Sequence, residues 1–500
     1  MTFLKPFSAS TILAAILCAT TAQADVTAEQ VWQDWVDYAT QVGQTISAAS
    51  SEKQGDTLVV TNVKMASEMP EVSSEGTIAE VRLKELGDGT VEVTMSNEIP
   101  FHVKATPSEG KPTDMTMKFT QTGMTVLASG TPEAMDYKFN SPEMALVMDE
   151  MKAEGEAAPV KMQLTFKGNT GTYHTEKAAG RTMAYDMKSD ALDIALAGSD
   201  PEGKGTFNLT GTMAGLTGNG TMAMPEGADF KDLNAALGKG VAMKGDFAYT
   251  SGTYKIEANG ADGAFTADTT GAEGKLHFAM SKDGINYGGE AGQGTVAVSG
   301  ASLPFPIEAS VAQSAFNLIM PVTKSDAPAP GALMVKLVDL KVSDALWNMV
   351  DPQTKLPRDP ATLIIDLSGA IKPLIDLFDP KQAEALAAGG ASASPFEVSE
   401  AKINQLQIKA VGAELNGTGA VTIDNTATPP KPVGAIDLTL TGANKLMDNL
   451  VAAGLVPEDQ IMGARMMLGM FAVPTGDDAM ASKIEFKDDG GIYANGQRIQ

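Results

Sequence analysis

From Asp56 onward, apolar and polar residues alternate with a period of two along most of this 500-residue chain. Val91, Val93 and Met95 alternate with Glu92, Thr94 and Ser96, and Met115, Met117 and Phe119 with Thr116, Lys118 and Thr120. Val160, Met162, Leu164 and Phe166 alternate in the same way with Lys161, Gln163, Thr165 and Lys167. Later runs are Leu192-Ile194-Leu196 and Leu276-Phe278-Met280. A helix cannot place such a series on one side, whereas an antiparallel strand with one covered and one wet face does. The predicted fold class is therefore mainly β with minor α, built as a meander of long curved antiparallel β-sheets. Gly87-Asp88-Gly89 and Asp488-Asp489-Gly490-Gly491 supply hairpin turn chemistry. The 50 glycines concentrate between Gly198 and Gly300, with no fixed repeat period and no propeller blade signature.

The helical exceptions lie near the two ends. Val31, Trp32, Trp35, Val36, Val42 and Ile46 have helical spacing and predict one N-terminal amphipathic helix. Residues 444–453 and 457–470 predict a C-terminal helical hairpin broken at Gly454, with Pro457 suited to a first turn. Short helices are also expected over 343–349 and, despite Pro373, over 371–378. Residues 323–331 (TKSDAPAPG) read as a linker, and 386–395 (LAAGGASASP) as a second flexible connector. The expected organisation is a signal peptide over 1–24, a β-rich region with its leading helix over 25–322, the linker, and an α+β region over 332–500.

Residues 1–24 have the parts of a secretory signal. Lys5 is the basic start, 11–19 (TILAAILCA) the apolar stretch, and Ala22 and Ala24 the small residues before cleavage at Asp25. The expected location is periplasmic. The single cysteine, Cys18, falls inside that signal and follows Leu17 rather than a small residue, so acylation is not expected. With 62 acidic against 37 basic residues and a formal charge of −25, nucleic-acid binding is excluded as a function class. No later segment approaches the ~20 continuous apolar residues of a membrane span. An outer-membrane barrel also alternates, but its aromatic girdles are not supplied by an aromatic content of 6%.

The standard catalytic constellations fail on residue type or spacing. His102, His174 and His277 are scattered, and none has cysteine beside it. No G-x-S-x-G, H-E-x-x-H or P-loop occurs, and the Asp-Gly turns lack calcium-loop spacing. Arg358, in a loop between Asp351-Pro352 and Asp359-Pro360, could meet an anion but reads as a surface charge. No catalytic residue, cofactor or metal site is expected.

Methionine is the unusual residue, at 28. Met115, Met117, Met135, Met162, Met183, Met187, Met222, Met224 and Met280 fall on the apolar side of strands. Thioether ligation of copper is one reading. Their alternation with Phe, Val and Leu, without histidine alongside, favours core packing. Between the two stands an apolar groove lined by flexible methionine. Its expected lining is Met115, Met117, Phe119, Met162, Leu164 and Phe166.

Residues 346–369 (LWNMVDPQTKLPRDPATLIIDLSG) resemble a family of secreted alphaproteobacterial proteins known as domain of unknown function twenty-one twenty-five. The stretches 432–442 (PVGAIDLTLTG), 446–471 and 490–499 (GGIYANGQRI) are similar to it as well. Together they span most of 333–500, with a weaker likeness at 303–322 (LPFPIEASVAQSAFNLIMPV). The family supplies no catalytic residues. Its texture is similar to AsmA-like envelope proteins, which implies long curved sheets carrying lipid in a groove, by analogy of fold. The leading expectation is a non-enzymatic periplasmic envelope protein binding or carrying lipid, or an envelope protein partner, on an apolar concave face. The alternatives are an adaptor without a small ligand and a hydrolase using two carboxylates.

Overall fold

The computed structural model describes residues 25–69, 71–106, 111–200, 204–230, 232–388 and 394–500. Ala22, Ala24 and Cys18 of the expected signal, and 389–393 of the second connector, lie outside them. The chain is 64% strand and 12% helix, with one large antiparallel sheet, as the alternation predicts.

The first helix, Ala28–Gln41, begins with a reciprocal capping box between Thr27 and Gln30. It ends sooner than the apolar spacing suggests. Gly43 takes a φ of 76°, and Ile46 moves onto the strand Gln44–Ser47, from where it packs against the same core. That core joins Val31 to Val60, Val63, Val81, Leu83, Val91, Val93, Met135 and Tyr137.

Successive strands pair with their neighbours from Ser50–Gln54 and Thr57–Glu68 through to Ile492–Ala494 and Gln497–Arg498. Among the described residues no strand of the first rows pairs with one of the last, so the sheet is open. The longest members are Ala134–Ala153, Val160–Ala178, Gly180–Ser199 and Thr206–Pro225. Beyond them each row is two collinear strands: Ala242–Tyr249 with Ser251–Gly260, then Gly263–Gly271 with Gly274–Ser281, then Gly284–Ala291 with Gly294–Gly300.

The breaks between these half-strands continue irregularities in the long strands. They form one line of ladder interruptions through Asn62, Gly168, Asp190, Gly215, Thr250, Gly292, Ala312 and Asp339, a bulge line in which both partners carry the extra residue, so that the pairing register is the same on either side. A bulge adds one residue, bends its strand and increases the local twist. It also moves the alternation by one. The apolar side is carried by Met162, Leu164 and Phe166 before the line, and by Gly171, Tyr173 and Thr175 after it. In the neighbouring strand Leu192, Ile194 and Leu196 give way to Met183, Tyr185 and Met187.

Buried polar side chains satisfy the backbone along the line. Gln121 donates to the Met95 carbonyl at 3.0 Å and accepts from the Met124 amide at 2.8 Å. Asn169, 1% exposed, donates to the carbonyls of Ser141 (3.1 Å) and Phe166 (3.0 Å) and accepts from the Ser189 hydroxyl at 2.6 Å.

Two expectations are corrected. Residues 323–331 are not a free linker: Gln313–Met320 pairs directly with Ala329–Val342, so 323–328 is a hairpin loop and the sheet runs through it. The two regions it was expected to separate share one ladder. No helix forms over 371–378, because Ala361–Pro373 is a strand paired on both sides and Pro373 closes it; a helix follows at Pro380–Ala388. The expected short helix appears as Asp344–Val350, and the hairpin as Ala443–Ala452 and Glu458–Phe471 around Gly454, whose φ is 70°.

If Asn169 holds the bulge line, Asn169→Ala should cost about 1–3 kcal/mol in denaturant unfolding, because it leaves buried carbonyls unpaired. Lys161→Ala, on the wet face, should stay within about 0.5 kcal/mol. Equal losses would remove the bulge line as a source of stability.

Candidate functional site: an exposed apolar sheet face

The apolar sides of successive strands line up across the sheet. One cross-strand line runs Tyr185, Gly220, Gly245, Phe278, Tyr287, Leu318, Leu333, Leu367. Beside it runs a second: Met187, Gly218, Phe247, Leu276, Gly289, Phe316, Val335, Ile365. The glycines leave room for neighbouring rings. A Cβ on Gly220 would stand 2.6 Å from the Tyr185 hydroxyl, and one on Gly289 would stand 3.1 Å from the Phe316 ring. The glycine concentration between 198 and 300 thus has a packing cause: aromatic rings lie over glycine backbone in adjacent strands. Tyr287 meets Phe316 edge-on at 5.1 Å between centroids and Phe278 at 6.4 Å.

Helices cover only parts of this face. Ala28–Gln41 lies over the first rows, and Leu233–Gly238, with Leu377 and Phe378, packs on Met243, Met280, Ile285 and Met320. Between and beyond them Tyr185, Met187, Leu276, Tyr287, Phe316, Leu333 and Leu367 remain 36–45% exposed. Single exposed apolar residues are ordinary, but an aligned series over many strands is a candidate binding surface.

The structure brings the six expected groove residues together. Met117 pairs across Met148 to Met162, Phe119 across Leu146 to Leu164, and Met144 stands beside Phe166. Met117 is buried, Phe119 packs against the core under the first helix, and the other four are half-buried. The more exposed apolar series lies further along the sheet. The signal for it was in the sequence, in Tyr185, Leu276, Tyr287, Phe316 and Leu333, but its continuity depends on pairing register and bulge phase.

A cavity of about 670 Å³ lies across rows that end near the covering helix Leu233–Gly238, with walls from 182–184, 221–223, 242–244, 279–281, 283–286 and 319–320. Its ionisable side chains are few: His174, 2.9 Å from Asp136, with Lys244 and Asp283. The space suits an apolar body with one polar end.

The histidines do not meet. His102 contacts Asp114, His174 contacts Asp136, and His277 lies 3.0 Å from Asn317 and 3.2 Å from Asn286. Among the described residues no three His, Cys, Asp or Glu gather as metal ligands. Arg358 ties its loop to the preceding helix, donating to Asp344 at 2.8 Å and Asn348 at 2.7 Å. No helix among the described residues is long and apolar enough to cross a membrane.

One buried charge cluster pins the first helix to the sheet. Asp34, 2% exposed, accepts from Arg181 and Lys177 at 2.8 Å each and from the Tyr137 hydroxyl at 2.9 Å. Arg181 donates further to Thr175 at 3.0 Å and stacks 5.6 Å from the Tyr38 ring. Burial would raise the Asp34 carboxyl, but hydrogen bonds from Arg181, Lys177 and Tyr137 hold it below its ordinary value. Burial pushes the Tyr173 phenol up to about 12. With both carboxylate oxygens occupied, the cluster works as a clamp.

A model of the family described as "Uncharacterized protein conserved in bacteria (DUF2125)" matches residues 241–498. The match begins in the glycine-rich rows and passes through the hairpin loop at 323–328. No curated protein matches the chain. Among solved structures, the ferric citrate transporter FecA in its unliganded form aligns over 91% of this chain and 76% of its own, at 8% identity. Its TM-score of 0.17 is too low to argue a shared fold.

The clamp has a pH signature. A depressed carboxyl contributes its stability fully above the ordinary value of 3.8, and that contribution drains away as pH falls through the depressed value. Arg181→Met should cost about 3–5 kcal/mol at neutral pH, since it removes the buried cation from a buried carboxylate and leaves it to Lys177 and Tyr137 alone. Asp34→Asn should flatten the acid limb of a stability-versus-pH curve. An unchanged acid limb in Asp34→Asn would contradict the clamp.

Proposed function

We propose that this chain, which belongs to the DUF2125 family of uncharacterised bacterial proteins, is a non-enzymatic envelope protein that holds lipid along the exposed apolar face of its sheet. The observation that carries the reading is the aligned exposure of Tyr287, Phe316 and Leu333 on successive strands, outside the area covered by helices. Such a surface is costly to leave in water, at roughly 25 cal/mol per Å² of apolar area. A ligand with acyl chains would cover it without directional contacts, which suits a face lacking polar anchors. The N-terminal residues that read as a secretory signal support a periplasmic location, where such ligands are exchanged between membranes. Buried Met117 with half-buried Met162 and Leu164 extends the apolar surface toward the first helix.

The test is a double variant on the exposed face. Phe316→Ser with Leu333→Ser should leave the melting curve nearly unchanged, because both side chains are already more than a third exposed. The same variant should lose most of its uptake of a fluorescent phospholipid from vesicles of phosphatidylethanolamine and phosphatidylglycerol. Undiminished uptake in a folded variant would contradict the proposal.

A further inference from the structure

The C-terminal helix Glu458–Phe471 carries methionines in a place where packing does not explain them. Ile461 is its buried residue, and it anchors the helix against Ala443–Ala452, aided by the Arg465–Asp448 ion pair. Met466, Met467 and Met470 are 68%, 58% and 61% exposed. On the strands Met117, Met135, Met183, Met224 and Met280 are buried, as core filling requires. On this helix the core-filling role does not apply.

We infer that Met466, Met467 and Met470 form a thioether site for a soft monovalent cation, of which Cu(I) is the biological example. In a helix, residues three and four apart are neighbours, with Cβ atoms about 5–6 Å from one another. Met470 is four residues from Met466 and three from Met467, and those two are adjacent, so the three side chains start from the corners of a small triangle. Each thioether has three rotatable bonds, enough to turn its sulfur inward to one ion. Met462, one turn earlier and also exposed, is a spare donor. Thioethers select soft ions such as Cu(I) over hard divalent ones. The net charge of −25 on the whole chain favours the approach of a cation. Binding moves no electrons, because the ion arrives already reduced. The site is independent of the lipid-holding face.

The experiment uses the purified folded chain with methyl-¹³C-methionine, titrated with Ag(I) as a redox-stable probe and then with Cu(I) under anaerobic reducing conditions. Equimolar Ag(I) should shift the methyl signals of Met466, Met467 and Met470 and leave those of buried Met135 and Met224 in place. The triple variant Met466→Leu, Met467→Leu, Met470→Leu keeps the apolar character and removes every sulfur. It should retain the wild-type melting curve and lose Ag(I) and Cu(I) binding. A wild-type titration that leaves the three methyls unmoved, or a triple variant that binds as tightly as wild type, would overturn the site. If the triple variant does not fold, the wild-type methyl shifts decide alone.

Discussion

Backbone pairing between long antiparallel strands is the interaction on which everything else in this molecule depends. The chain beyond its first 24 residues has no cysteine to staple it, and among the described residues only short helices cover the sheet. A strand of about twenty residues accumulates twist that a straight ladder cannot carry without loss. The bulge line lets each row bend at one place, and buried Gln121, Ser141 and Asn169 take up backbone groups that the ladder leaves free there. Because each bulge also changes the alternation by one residue, the apolar side stays continuous from one half of each row to the other.

That continuity has a functional consequence. Small domains hide their apolar sides by closing a second layer over them. Here the covering layer consists of Ala28–Gln41 at one end and Leu233–Gly238 further on, the first clamped by Asp34 and Arg181. Between them aromatic rings lie over glycine in a surface left uncovered. In the proposed lipid-holding role, the missing second layer is supplied by the ligand, and rings over glycine give it a smooth bed.

Much of this was legible in the alternation. Val160 to Phe166 have the alternating exposure expected of them up to Leu164, after which buried Thr165 marks the approach to the bulge. The Asp-Gly turns and the C-terminal helical hairpin were equally legible, because each rests on local chemistry. The bulge line was not. Its members, such as Gly168, Asp190, Thr250 and Ala312, share no residue type, and only pairing between distant strands aligns them. The same cause hid the hairpin at 323–328, whose Pro and Ala look like a linker until the flanking strands pair. The strand ending at Pro373 outcompeted a local helical pattern by pairing on both sides. The six expected groove residues do gather on one face, yet the larger exposed series was missed, since exposure is decided by where the covering helices lie.

Native mass spectrometry of the protein taken from its own cells without detergent tests the central claim most directly. The predicted result is a set of mass adducts in the phospholipid or fatty-acid range, released by organic extraction and identified in the extract. A single ligand-free mass, from protein that is folded and monodisperse, would contradict a sheet face built to hold lipid.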